Sequence, residues 1–188
     1  SSSFKSLNNI IKLDMAIKKI ITEPNKILRQ KSVEVTKVDS ELQKLMDDML
    51  ETMYAAPGIG LAAIQVGVPK RVIVLDLASR EEIKKPMFFI NPEITNKSEN
   101  NSIYEEGCLS VPGQFAEIER PDKCHIKYLD YHGEPKELNA EGMLATCIQH
   151  EIDHLEGVLF IDYLSKLKRT MIAKKLSKQK KELERIVV

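Results

Sequence analysis

The chain has 188 residues, of which 43% are apolar and 30% are charged. This length and composition predict one globular domain and exclude a disordered or collagen-like chain, and no stretch approaches the roughly 18 uncharged apolar residues of a membrane-spanning helix. The formal net charge is zero, but residues 166–185 hold nine Lys/Arg against two Glu, so a net charge of +7 is confined to the C-terminal end.

The N-terminal residues indicate where the domain begins. Met15, followed by AIKKIITEP, has the character of an initiator methionine, so we expect residues 1–14 to be an N-terminal extension or an artificial remnant. An organellar targeting remnant is the alternative, because this stretch is rich in serine and poor in acidic residues. Three widely spaced cysteines argue against a disulfide framework, and we therefore expect a reducing, cytoplasmic environment.

The first strong periodic pattern predicts a helix from Ser40 that ends before Pro57 and Gly58. Ser40 and Gln43 have the spacing of a capping box. The helical spacing is carried by six apolar residues: Leu42, Leu45, Met46, Met49, Leu50 and Met53. We predict an apolar, glycine-rich loop over 58–69, followed by strands at 71–77 and 87–92.

The second half predicts more strands and two helices. TNKSENNS (95–102) and EEGCLSVPG (105–113) are polar or turn-rich and predict loops. Strands are predicted at 115–119 and 124–131, and His132-Gly133 turns the second into another strand around Leu138. Helices follow over about 141–155, ended by Gly157, and from about Ser165. Because strands and helices do not alternate regularly, the order favours an α+β fold.

His150-Glu151-Ile152-Asp153-His154 carries the clearest chemical signal. Residues four apart lie on one face of a helix, so two imidazoles there can bind one metal ion. Glu151 would then lie beside the ion without binding it, where it can accept a proton from water. The alternative is two structural histidines with an incidental glutamate between them.

A catalytic site of this type needs a third ligand, and Cys108 is the best candidate. It follows Gly107 in a predicted loop, where a thiolate can be presented away from the core. Phe160 occupies the position where the metzincin pattern needs a third histidine. The remaining candidates suit strand, turn, core or tail positions better: His125, His132, Cys124, Cys147, Glu182 and Glu184.

Three segments together resemble the signature motifs of peptide deformylases, in the same order: GIGLAAIQ (58–65), EGCLS (106–110) and QHEIDHLEG (149–157). The resemblance implies an α+β fold with strands around the central motif helix, a C-terminal helix, and one catalytic domain over 15–188. The implied reaction removes formate from the N-formylmethionine of new polypeptides. The same resemblance implies Cys108, His150 and His154 as metal ligands and Glu151 as the acid–base residue.

Further roles follow only from this resemblance. The Gln65 side chain and the Leu109 backbone N–H are expected to bind the developing oxyanion, and the backbone around Ile59 and Gly60 to hold the peptide. Residues of the motif helix are expected to line the pocket for the first substrate side chain: Met143, Thr146 and Cys147. Thr146 stands where relatives usually carry an aliphatic residue.

The cofactor implied is one divalent ion, generally Fe(II) in the cell, with Zn, Ni or Co also accepted. Ribosome docking is expected through the basic tail at 165–188. The apolar residues of this tail are compatible with one helical stripe, so we expect the helix to dock partly on the body: Leu164, Leu167, Met171, Ile172, Leu176 and Leu183. A solvated helix end is the alternative for this tail. Four charged residues could form structural ion pairs or support the metal ligands, and we favour the ion-pair interpretation for each: Glu106, Arg120, Asp153 and Glu156.

Two other classes of protein share parts of this pattern. A small zinc metallopeptidase would have the same helix motif but needs a downstream ligand, and none is well placed. A metal-binding protein without activity would have no use for Glu151.

Overall fold

The computed structural model describes residues 16–79 and 81–186, so the predicted extension at 1–14 lies outside the described residues. The helices are α1 (Ser40–Ala55), α2 (Gly142–Leu155) and α3 (Lys166–Ile186). The strands are β1 (Gly60–Ala62), β2 (Val72–Leu75), β3 (Met87–Lys97), β4 (Asn101–Cys108), β5 (Val111–Pro121), β6 (Lys123–Leu129) and β7 (Pro135–Glu141). Short 3₁₀ turns cover Lys26–Arg29, Ala63–Val66 and Phe160–Tyr163.

Five strands form one antiparallel sheet in the order β1-β2-β3-β6-β7, and β4 and β5 form a separate hairpin. Helix α2 packs on the sheet through Ile148 and Leu155, which belong to a buried cluster with Ile73, Phe89 and Ile126. Helix α1 packs on β1 and β2 through a second buried cluster. The predicted α+β fold is therefore confirmed, with α2 lying against both the sheet and the hairpin.

Helix α1 has the predicted bounds and apolar face but a different N-cap. The Asp39 carboxylate accepts a hydrogen bond from the Leu42 N–H at 2.9 Å, so the predicted capping box on Ser40 is wrong. An aspartate caps as well as a serine does, and it takes the cap here because Ser40 is already the first helical residue.

Three predicted loops contain regular structure. The segment at 58–69 includes β1 and a 3₁₀ turn, and most of TNKSENNS and EEGCLSVPG belongs to β3, β4 and β5. The hairpin strands are polar because much of their surface faces solvent: three of the eight residues of β4 are exposed and only one is buried. Such a strand lacks the apolar alternation by which strands are predicted.

The described N-terminal segment, residues 16–33, crosses the molecule as a strap. Its backbone N–H groups donate to three distant carbonyls, from Ile21 to Gln65 at 2.7 Å, from Glu23 to Ser110 at 2.8 Å and from Ser32 to Leu155 at 2.8 Å. The strap therefore joins the segment after β1, the hairpin turn and the end of α2.

Helix α3 rests on the hairpin by a narrow contact. Ile172 and Leu176 are buried in a cluster with residues of β5 and the Phe160–Tyr163 turn. Leu167, Met171 and Leu183 are exposed, so the helix docks on the body only in part, as its stripe predicts, because the apolar surface beneath it is short. None of the described helices is long and apolar enough to cross a membrane.

Candidate active site

Helix α2 carries both histidines of the motif on one buried face. Their ring centroids are 5.1 Å apart, as expected for residues four apart in a helix. The helix ends directly after them, with Gly157 at φ 74°. A Cβ at position 157 would lie 2.4 Å from the Arg29 carbonyl oxygen, so only glycine permits this close approach of the strap to the end of α2.

Cys108 approaches the histidines from the hairpin. It is the last residue of β4, ahead of the tight turn into β5, so the predicted loop position is corrected to a strand end. Its Sγ lies 3.3 Å from His154 Nε2, and the donor atoms of Cys108, His150 and His154 all lie within 4.8 Å of one another. One thiolate and two imidazoles are a donor set that suits zinc, iron and similar divalent ions.

Glu106 supports one of these histidines. Its Oε1 lies 2.8 Å from His150 Nδ1, and Arg120 contacts both carboxylate oxygens, at 2.7 and 3.0 Å. Burial alone would raise the pKa of Glu106, but the hydrogen bonds from His150 and Arg120 lower it. An ionised carboxylate only accepts, so His150 Nδ1 carries the hydrogen and Nε2 is left able to bind a metal ion.

The Arg120 guanidinium extends this network to the surface. It donates to Asp153 Oδ2 at 2.8 Å, which also accepts from the Tyr163 hydroxyl at 2.7 Å. The predicted ion pair between Glu106 and Arg120 is therefore present, and Glu106 also contacts His150. The signal available in the sequence was only that Glu106 lies two residues before Cys108, and no local pattern pairs it with His150.

Burial strongly perturbs the acid–base behaviour of α2. It raises the pKa of Glu151 to about 7, raises that of Cys147 to about 12 and lowers that of His154 well below its usual value. For His150, burial acts downward, but hydrogen bonds with Cys108 and Glu106 raise the pKa to about 10.

Gln65 reaches the same place from the 3₁₀ turn after β1. Its Oε1 accepts from the Ala62 N–H at 2.9 Å, which directs Nε2 towards Ser110 Oγ at 3.0 Å and Cys108 Sγ at 3.5 Å. Ser110 is fully buried, and although it belongs to the EGCLS segment, no pattern in the sequence predicted a role for it. The contact orients the Gln65 amide beside the cysteine.

These groups lie at a cavity of about 610 Å³. Of the eleven predicted site residues, His154 is fully buried and does not line the cavity. The other ten line it: Ile59, Gly60, Gln65, Cys108, Leu109, Met143, Thr146, Cys147, His150 and Glu151. A Cβ on Gly60 would lie 2.7 Å from Glu151 Oε1, so glycine brings the β1 backbone against the carboxylate. Ile59 and Met143 are about half exposed.

A cavity that holds a convergent Cys/His/His set and a buried glutamate defines the chain as a metal-dependent hydrolase of α+β architecture. The sequence model of the family described as polypeptide deformylase matches residues 17–170. The chain belongs to this family, and it is an enzyme that removes the formyl group from N-formylmethionyl peptides.

The similarity extends over most of the chain. The peptide deformylase of Pelagibacter ubique is 66% identical over 174 residues, covering 93% of this chain and 100% of that relative. That of Rhizobium meliloti is 56% identical over 167 residues, covering 89% and 96%. The crystal structure of peptide deformylase from Ehrlichia chaffeensis has a TM-score of 0.85 and 44% identity, covering 89% of this chain and 98% of that one. These matches do not favour the alternative of a small zinc metallopeptidase.

Proposed function

We propose that Cys108, His150 and His154 hold one divalent metal ion, and that Glu151 is the acid–base residue of deformylation. One observation carries this proposal: Glu151 lines the cavity beside the three donors, and its buried Oε2 has no hydrogen-bond partner among the described residues. A bound ion would supply Lewis acidity, lowering the pKa of a water molecule and polarising the formyl carbonyl.

The residues of the chain then carry out proton transfer, stabilise the oxyanion and bind the substrate. Glu151 accepts the proton of the attacking water, and a pKa near neutrality suits it to give that proton to the amine as the C–N bond breaks. Gln65 Nε2 and the Leu109 N–H donate to the oxyanion that develops on the formyl oxygen. The backbone at Ile59 and Gly60 holds the peptide, while Met143, Thr146 and Cys147 surround its first side chain.

The assay that tests the proposed reaction compares two substrates. We expect formate release from a formyl-Met tripeptide and no cleavage of internal peptide bonds in an unformylated peptide of the same composition. Cleavage of internal bonds would favour the metallopeptidase alternative instead.

We infer Fe(II) as the ion in the cell, with Zn, Ni or Co as substitutes. The resemblance to peptide deformylases supports iron, whereas the donor set accepts all four metals. Metal analysis of protein purified without oxygen tests this inference. Because a thiolate ligand is open to oxidation, iron-loaded protein should lose activity in air faster than zinc- or nickel-loaded samples. Equal decay of all samples would count against iron-specific oxidation.

We also propose that residues 15–188 form one cytoplasmic catalytic domain whose basic C-terminal helix docks on the ribosome. The nine basic side chains of α3 are exposed, whereas the buried side chains of this helix, among those that the structure describes, are Ile172 and Leu176. A cationic helix of this kind gives salt-dependent attraction to RNA phosphates.

A charge variant tests docking without removing the buried contacts of α3. Substitution of Lys175, Lys178 and Lys181 by Gln should lower co-sedimentation with ribosomes at low salt while turnover of a free tripeptide persists. The matched control replaces Lys123, Lys127 and Lys136, which are exposed on the sheet. Equal, salt-insensitive sedimentation of both variants would contradict docking.

A further inference from the structure

Thr146 differs from the other helical threonines in how its hydroxyl is used. Thr52 in α1 donates to the Asp48 carbonyl at 2.6 Å, and Thr170 in α3 donates to the Lys166 carbonyl at 2.9 Å. These bonds to the carbonyl four residues earlier are the usual arrangement for threonine in a helix. The Thr146 Oγ1 is buried and makes no hydrogen bond with any residue that the structure describes.

The position of Thr146 indicates which ligand would use this hydroxyl. The residue is 3% exposed and contributes to the cavity wall, and it lies one helical turn before His150. Its neighbours in that wall, Met143 and Cys147, are uncharged. Leaving a buried hydroxyl without a partner is unfavourable, and threonine in a helix has two accessible χ1 rotamers through which the hydroxyl can turn.

We propose that the Thr146 hydroxyl is a specificity-determining group that donates a hydrogen bond to the thioether sulfur of the first substrate side chain. The proposal rests on the assignment above, in which this wall surrounds that side chain. Thioether sulfur is a weak acceptor, and a hydrocarbon chain of the same length offers none. A norleucine side chain fills the same space but leaves the hydroxyl unpaired, so Thr146 favours methionine over norleucine.

The test compares kcat/KM for two formylated tripeptides that differ only in methionine or norleucine at the first position. Wild-type enzyme and Thr146→Ser, which retains the hydroxyl, should prefer methionine by roughly threefold to tenfold, the range for one modest hydrogen bond. Thr146→Val, which keeps the shape, should bring the ratio close to one. Thr170→Val, on the exposed helix α3, is the matched control and should keep the wild-type ratio.

Because the readout is a ratio of two substrates, it does not depend on the folded fraction of each variant. Thr146→Ala gives a second variant without the hydroxyl, and it should reduce the ratio as Thr146→Val does. A methionine preference that both variants retain overturns this proposal while leaving the site assignment in place. Formate release that survives Glu151→Ala would instead overturn the site assignment.

Discussion

Helices α2 and α3 follow one another in the chain but differ in how the rest of the molecule constrains them. In α2, nine of the 14 residues are buried, including both histidines, Gln149 and Glu151. In α3, which has 21 residues, the buried side chains that the structure describes are Ile172 and Leu176. Burial shifts the pKa values of α2 and fixes its hydrogen bonds, whereas the charges of α3 stay hydrated and screened by salt. The enclosed helix is therefore suited to acid–base chemistry, and the exposed helix is suited to reversible association that depends on salt.

The sharpest test of this contrast replaces one glutamate in each helix and compares the activity and metal content of the two variants. Glu151→Ala should lower deformylation by roughly 10²–10⁴-fold or more, because the group that moves the proton is lost. The metal content should remain stoichiometric by elemental analysis. Glu182→Ala in α3 should leave both measurements unchanged. Loss of the metal from Glu151→Ala would instead identify Glu151 as a ligand.

Removal of the thiolate should have a comparably large effect. Cys108→Ser should lose most of its metal and activity, because a neutral hydroxyl replaces the only thiol of the donor set. Cys124→Ser, at a cysteine buried in the sheet, should keep most of both. Equal metal retention in these two variants would refute the assignment of Cys108.

The support of His150 should contribute less than the ligands themselves. Glu106→Gln removes the charge that orients the imidazole, and loss of such a partner typically costs about 10–100-fold in metal affinity or activity. Competition with a chelator measures this affinity. Glu117→Gln changes an exposed glutamate of the same hairpin and should leave affinity unchanged. Unchanged affinity in Glu106→Gln would mean that the carboxylate is only structural.

Within α3, two leucines should separate packing from exposure. Leu176 is 6% exposed and Leu183 is 65% exposed. Leu176→Ala should lower the free energy of unfolding by about 2–3 kcal/mol, and Leu183→Ala by less than about 0.5 kcal/mol. Urea denaturation measures both changes. Equal losses would mean that α3 packs along its whole length.

The smallest expected effect is the pH response of the ion pair between Arg71 and Glu156, whose nearest atoms are 2.8 Å apart. Partial burial acts to raise the pKa of Glu156, but Arg71 and Lys31 lower it. The pair therefore stabilises the fold at neutral pH, and this contribution is lost as the pH falls below the usual glutamate pKa of 4.5. Thermal unfolding of Glu156→Gln and wild type should differ slightly at pH 7 and converge in acid. A difference that persists in acid would contradict this cause.

The features predicted correctly from the sequence are those that depend on residues close together in the chain. The features that depend on contacts between distant segments could not be predicted. The apolar periodicity of α1 and the spacing of His150 and His154 are local, and the helices are where they were expected. The polar hairpin β4–β5 was interpreted mainly as loop because its pairing comes from opposite strands and much of its surface faces water. The bond between Glu106 and His150 joins residues 44 positions apart, and no pattern within either segment encodes that pairing.

The strap formed by residues 16–33 has a consequence for the order in which the enzyme can be assembled. Its hydrogen bonds to Gln65, Ser110 and Leu155 each close a long loop of chain. Closing such a loop costs conformational entropy, which these contacts must offset before they stabilise the fold. A fold dominated by such distant pairings forms slowly compared with a helical bundle. A chain still being synthesised cannot complete the strap until the end of α2 has emerged, so the strap closes only after both histidines of the site have been made.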